Sequence, residues 1–212
     1  MKRRTNLPQT YPALEGHTPP TVWMDGGPPL DFELIHATLR VFGHRPVVVK
    51  DSVKSRKHEW DEACFIPAAD DRSAVERVVS RFVELQGDDL AGGLVFREFV
   101  ELDPVGRHPR SGLRLGREYR LFRLDAQLLV SGRYWDGIDY SDEHPVESFE
   151  RLSSAIPSRF FSMDIAKTTA GDWIVMEIGD GQVSGLPEAI DPDTFYSGLA
   201  ERLTDSRSQP RE

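Results

Sequence analysis

Apolar positions along the chain switch between a helical and a strand period, and the switches divide it into elements. From Phe32 to Phe42, apolar residues at Phe32, Leu34, Ile35, Ala37, Leu39 and Phe42 suit a helix ending at Gly43, and PVVVK reads as a short buried strand closed by Lys50. DSVKSRKHEW is polar and cationic without a period, hence a loop, and ACFIP is another short strand. Ser73 with Glu76 forms a capping-box pattern, and Ala74, Val75, Val78, Val79, Phe82 and Val83 follow at helical spacing up to Gly87. GLVFREFVEL, a charged Gly- and Pro-containing loop from Asp103 to Gly116, REYRLFRL, a turn at Asp125 and Ala126, and QLLVSGRYW read as an antiparallel meander. A short helix near Ser148 to Ala155 interrupts it. FFSMDIAKT, a turn and DWIVMEI then form a hairpin, followed by the glycine loop GDGQVSGLP and a helix from Asp193 to Leu203. Antiparallel strands with segregated helices predict an α+β fold.

Residues 1–30 are rich in proline and hold no sustained period, so they read as an extended or partly ordered arm before a domain at 31–204, with 205–212 a disordered tail. The formal charge of −9, from 35 Asp and Glu against 26 Lys and Arg, argues against a surface built for nucleic acid. The chain shows neither a long apolar run nor a hydrophobic stretch behind its basic start, which speaks against a membrane and for a cytoplasmic location. A single cysteine, Cys64, excludes an intrachain disulfide, and in apolar ACFIP it reads as a buried core residue. His36, His44, His58, His108 and His144 are scattered without metal-ligand spacing.

The last hairpin carries the informative geometry. Folding the chain about Ala170 and Gly171 pairs residues whose numbers sum to 341, so Asp164 lies opposite Glu177. Met163, Ile165, Ile174, Met176 and Ile178 then share one apolar face, and the two acids share the other. Opposed like charges repel. A divalent cation such as Mg²⁺ would compensate them, with Asp180 as a third ligand; equally, the acids pair with Arg120, Arg133 or Arg159 across the sheet.

Lys50, Lys54, Arg56, Lys57 and His58 form a cationic cluster in an acidic chain, which suits either phosphate binding or an ordinary solvated basic loop. The pattern GxxxxGK[ST] is absent, which rules out a P-loop. In VFREFVEL, Glu98 and Glu101 bracket Phe99 and Val100, as an ordinary half-buried strand or as a nucleotide hinge.

In this order the segments PVVVKD, VFREFVEL, EYRLFRL, SMDIA and VMEIGDGQVSGLP resemble the ATP-grasp superfamily, and most closely its small stand-alone members, over about Pro46 to Pro187. The resemblance implies two α+β lobes, about 46–97 and 98–204, whose antiparallel sheets hold nucleotide between them. It implies Lys50, with Lys54 and Lys57, on ATP phosphates, Glu98, Phe99 and Val100 lining adenine, and Glu101 on ribose. Asp164 and Glu177 would hold Mg²⁺, Arg120 would face the γ-phosphate or an acyl phosphate, and Arg133 and Trp135 the acceptor. Three departures stand out: Gly179 replaces the usual asparagine two residues after the second metal glutamate, SVKSRKHEW contains no glycine, and no lysine occurs between Lys2 and Lys50. The last leaves a substrate-binding half to be supplied elsewhere.

The expected function is an ATP- and Mg²⁺-dependent ligase that joins a small-molecule or peptide carboxylate to an amine through an acyl phosphate. An ATP-grasp kinase and a non-catalytic nucleotide-binding module, acting with a partner subunit or as a homo-oligomer, are the alternatives.

Overall fold

The computed structural model describes residues 7–52, 55–108, 112 and 114–208. The chain forms two compact units that divide between Val100 and Glu101.

The first unit contains α1 (Leu7–Leu14), β1 (Thr21–Met24), α2 (Phe32–Leu39), β2 (Val47–Lys50), α3 (Trp60–Ala63), β3 (Phe65–Ile66), α4 (Arg72–Gln86) and β4 (Leu94–Glu98). Its antiparallel sheet has the order β1-β4-β2-β3. The stretch expected to be an arm thus holds a helix and an edge strand, with Thr21 paired to Arg97 and Met24 to Leu94. Period analysis misses β1 because TVWM is too short to show one. Val47 and Val49 alternate onto the covered face of β2, where they join Ile35 and Leu39 of α2, Val75, Val78, Val79 and Phe82 of α4, and Phe96. α4 is capped by Asp71, whose Oδ1 accepts from the Ala74 N–H at 3.0 Å, and not by Ser73. The backbone leaves the extended region at Asp71, so Ser73 already lies in the first turn and Glu76 turns to the His36 ring, at 3.1 Å.

The second unit contains β5 (Pro104–Arg107), β6 (Arg114–Gly116), β7 (Glu118–Leu124), β8 (Gln127–Arg133), α5 (Glu150–Ala155), β9 (Phe160–Lys167), β10 (Trp173–Asp180) and α6 (Pro192–Ser208). The segment expected to be a loop from Asp103 to Gly116 carries the small β5-β6 ladder. The main sheet has the order β10-β9-β7-β8, antiparallel throughout. One face, with Tyr119, Leu121, Met163 and Ile165, is covered by the segment after β8: His144 stacks on Tyr119 with ring centroids 4.2 Å apart, and the Tyr119 hydroxyl donates to the Ser141 carbonyl. On the other face Phe122 packs against Ile190 and Phe195, which anchors α6.

The β9-β10 hairpin departs from a uniform register. Next to the turn the pairs are Trp173 with Lys167 and Val175 with Ile165, whereas from Glu177 with Asp164 onward the partner number rises by one. Met176 is the extra residue of a β-bulge. Val175 and Ile178 are both buried yet an odd number of residues apart, and one inserted residue lets both face the core. The apolar face therefore holds Met163, Ile165, Val175 and Ile178, while Ile174 and Met176 are half-buried. Among the described residues no helix is long and apolar enough to cross a membrane.

Candidate functional site

The bulge sets the geometry of the second unit. Glu177 of β10 pairs with Asp164 of β9, Asp164 with Arg120 of β7, and Arg120 with Gly132 of β8. Directly opposed residues share a face, so two carboxylates and a guanidinium form one row across three strands. Asp164 is 3% exposed. Arg120 grips it with a bidentate fork, Nε to Oδ1 and Nη2 to Oδ2, each at 2.7 Å. Nη1 of Arg120 donates to the Gly185 carbonyl at 2.9 Å, and the guanidinium lies 4.8 Å from the Tyr134 ring centroid. Burial would lower the Arg120 pKa, but the hydrogen bonds and charge of Asp164, with Tyr134 and Glu177 adding, hold it above its ordinary value. Of the two readings left open for Asp164, the ion pair with Arg120 is present. Glu177 adds a second carboxylate to the row beside this guanidinium.

The next row runs Gly179, Ser162, Phe122. A Cβ at Gly179 would meet Ser162 Oγ at 2.5 Å and Ser184 Oγ at 2.6 Å, so two hydroxyls occupy the space of a side chain there. They lie 2.7 Å apart. The turn after β10 delivers Ser184: Asp180 Oδ1 accepts from the Gln182 N–H at 2.9 Å, and the Asp180 carbonyl accepts from the Ser184 N–H at 3.0 Å and its hydroxyl at 2.9 Å. Asp180 pairs with Phe161 and lies three positions beyond Glu177, an odd step that puts it on the opposite face. It shapes the turn and is not brought to Asp164 and Glu177. Among the described residues no group of three or more His, Cys, Asp or Glu is placed to hold a metal.

Arg133 also falls on the other face, because it pairs with Tyr119. Its guanidinium is bound by Asp139, by Asp142 at 3.2 Å and by the Tyr140 carbonyl at 3.2 Å. Arg120 and Arg133 therefore do not meet. The indole N–H of Trp135 donates to the Gly116 carbonyl at 3.0 Å.

In the first unit the expected nucleotide contacts sit at strand ends. Lys50 ends β2 on the face of Val48, away from the core, and bridges Ser55 through its backbone. The stems of the cationic loop are tied to α4: Gln86 Nε2 donates to the fully buried Asp51 at 2.6 Å, and Arg56 Nε donates to Gln86 Oε1 at 2.7 Å. Lys54 lies outside the described residues, and Lys57 is exposed. The charges of Lys57 and Lys50 both reach Cys64, yet burial dominates and pushes that thiol up to about 11, which leaves it unreactive. Glu98 pairs with Val47 and binds Arg45 Nη1 at 2.5 Å. Phe99 stacks edge-on against Phe65 and Trp60, and its N–H donates to the Pro46 carbonyl at 2.9 Å. Val100 is half-buried and Glu101 exposed.

The sequence reading misses Ser162, Ser184 and Tyr134. The alternation S-M-D puts Ser162 on the face of Asp164 and could have revealed it, but nothing local marks Ser184 or Tyr134.

Hard carboxylate oxygens at Asp164 and Glu177 and the hydroxyls over Gly179 suit a small divalent cation such as Mg²⁺.

Comparison with known proteins gives this arrangement its context. No curated protein sequence matches the chain. Solved structures share its fold at low identity. Cdc123 from Schizosaccharomyces pombe, C-terminally truncated, matches with a TM-score of 0.58 and 14% identity over 88% of this chain and 92% of that one. D-alanine–D-alanine ligase from Bacillus anthracis, solved with ATP, matches at 0.59 and 16% over 96% of this chain and 67% of that one. The ATP-grasp ligase PsnB, solved with a minimal precursor, Mg and ADP, matches at 0.53 and 14% over 94% of this chain but 58% of its own length. A sequence profile, the ATP-grasp domain of R2K clade family 3, matches residues 41–199. The chain spans about two thirds or less of the two ligases and nearly all of the Cdc123 structure, and with a family profile matched over most of its length it belongs to the ATP-grasp proteins of R2K clade family 3.

Proposed function

We propose that this protein is an ATP- and Mg²⁺-dependent ligase that activates a small-molecule or peptide carboxylate as an acyl phosphate for attack by an amine or similar nucleophile. The reading is carried by the row Glu177, Asp164, Arg120, which the bulge at Met176 brings into register. Phosphoryl transfer to a carboxylate needs charge neutralisation and positioning more than a protein nucleophile. Asp164 and Glu177 would hold the metal, which when bound neutralises phosphate charge. Arg120, fixed by Asp164, Gly185 and Tyr134, would present its guanidinium to the transferring phosphate or to the acyl phosphate formed from it. Lys50 and Lys57, with Lys54, would contact phosphate oxygens, Phe99 and Val100 adenine, and Glu101 the ribose hydroxyls. Glu98, bound to Arg45, would serve the adenine contact through its backbone.

The saturated grip of Arg120 on Asp164 favours one second reading, a module that binds nucleotide without turning it over, alone or as a subunit of an assembly. Thermal unfolding with and without ATP and Mg²⁺ tests the shared premise, since a ligand of the native state raises the midpoint. A metal-dependent rise that disappears in Asp164→Asn and Glu177→Gln is expected; no rise in the parent chain at millimolar ATP, or an undiminished rise in both variants, overturns the site. ADP release with a panel of carboxylates and amines then separates ligase from module.

A further inference from the structure

Ser162 and Ser184 lie beside the acidic row, and their geometry gives them a direction. Ser162 is 1% exposed, on the face of Asp164 and directly across from Gly179. Each hydroxyl has one proton and two acceptor lone pairs. The Ser184 hydroxyl donates to the Asp180 carbonyl at 2.9 Å, so the proton of the 2.7 Å contact between the serines comes from Ser162. The chain of donation runs Ser162 to Ser184 to the Asp180 carbonyl and leaves the lone pairs of Ser162 Oγ as a buried, oriented acceptor. A side chain at position 179 would collide with both hydroxyls, so the space over β10 beside Glu177 is reserved for them. The turn that carries Ser184 also supplies the Gly185 carbonyl to Arg120. One loop thus fixes both the hydroxyl pair and the arginine of the neighbouring row.

We propose that Ser162 Oγ is a neutral oxygen ligand of the divalent cation held by Asp164 and Glu177, and that Ser184 is a positioning residue that turns the Ser162 proton away from the metal. The proposal rests on the metal-nucleotide reading given above. Proton donation to Ser184 raises electron density on Ser162 Oγ, and hard cations such as Mg²⁺ and Mn²⁺ accept hydroxyl oxygen in a mixed set with carboxylates. A sulfur in the same place would favour a softer metal.

The test is calorimetric titration of Mn²⁺ and of Cd²⁺ into the full chain saturated with a non-hydrolysable ATP analogue, with nucleotide binding in chelator as control. Ser162→Ala is expected to weaken Mn²⁺ binding roughly tenfold, and Ser184→Ala by a smaller factor, with metal-free nucleotide affinity unchanged. Ser162→Cys is expected to lose Mn²⁺ affinity and gain Cd²⁺ affinity over the parent chain, a switch that a merely structural serine does not produce. Parent-like Mn²⁺ affinity in Ser162→Ala, or no gain of Cd²⁺ affinity in Ser162→Cys, overturns the assignment and leaves the proposed function standing. A parent chain that binds no Mn²⁺ with nucleotide, or Asp164→Asn and Glu177→Gln variants that bind it undiminished, overturns the assignment together with the reading on which it rests.

Discussion

The two units hold their candidate residues in different ways. In the second, Glu177, Asp164 and Arg120 sit in one register row, two of them locked by a bidentate fork, and each position is set by strand pairing on a buried sheet. In the first, Lys50 ends a strand on one face, Glu98 binds Arg45, and Phe99 packs into an aromatic cluster. Sheet register holds side chains to fixed spacings because a slip of one residue turns every side chain over. The loop after Lys50 and the residues beyond Glu98 lie outside the β2-β4 ladder and follow no such rule. Charge on the second unit is therefore preorganised, and that on the first is arranged by local hydrogen bonds such as those of Gln86.

Substitutions sharpen this contrast. Arg120→Ala leaves the buried carboxylate of Asp164 without its guanidinium and is expected to cost about 3–5 kcal/mol in chemical denaturation, with Arg120→Leu combined with Asp164→Leu recovering most of the loss. An Arg120→Ala protein as stable as the parent would break the claim that the row is a buried, tightly held unit. Gly179→Ala should cost about 1–3 kcal/mol by the same measurement, because the new Cβ forces Ser162 and Ser184 off their mutual hydrogen bond. For the first unit, Asp71→Ala should cost about 1 kcal/mol, and Ser73→Ala no more than about 0.5 kcal/mol. Equal costs would return the cap to Ser73. Glu98→Gln, which takes the charge from the half-exposed pair with Arg45, is expected to cost only about 0.2–1 kcal/mol, against the several for Arg120.

The smallest effect is a pH dependence. Burial holds His144 below its ordinary value of 6.5, while contacts from Asp142 partly oppose the shift. The unfolded chain therefore takes up the proton first as pH falls, so the full stability present above about 6.5 is eroded as pH drops toward the folded-state value. Midpoints measured across this range should fall less in His144→Phe, which keeps a ring over Tyr119; identical slopes would remove His144 as the cause.

Sequence reasoning reached Asp164 opposite Glu177 although it assumed a hairpin without a bulge. Its turn centre was wrong by half a residue, and the inserted Met176 restored the assumed register beyond Val175. It put Ile174 and Met176 on the apolar face, where the structure has Val175 instead, because a bulge leaves no mark in a period of two. It grouped Arg120 with Arg133, whose faces follow from pairing with Asp164 and Tyr119, and it offered Asp180 as a ligand where the strand's alternation turns it away.

What the sequence by itself determined about this protein is the order and type of its longer elements, the α+β class and the family, because apolar periodicity and motif order are properties of neighbouring residues along one chain. Only the tertiary structure decided that Arg120 grips Asp164, that Ser162 and Ser184 fill the space over Gly179, and that β1 joins the first sheet. Those facts depend on register between strands distant in sequence, on a one-residue bulge and on a turn folding back over its own sheet. Each is selected by the free energy of burial and hydrogen bonding over the whole unit, which no local pattern encodes.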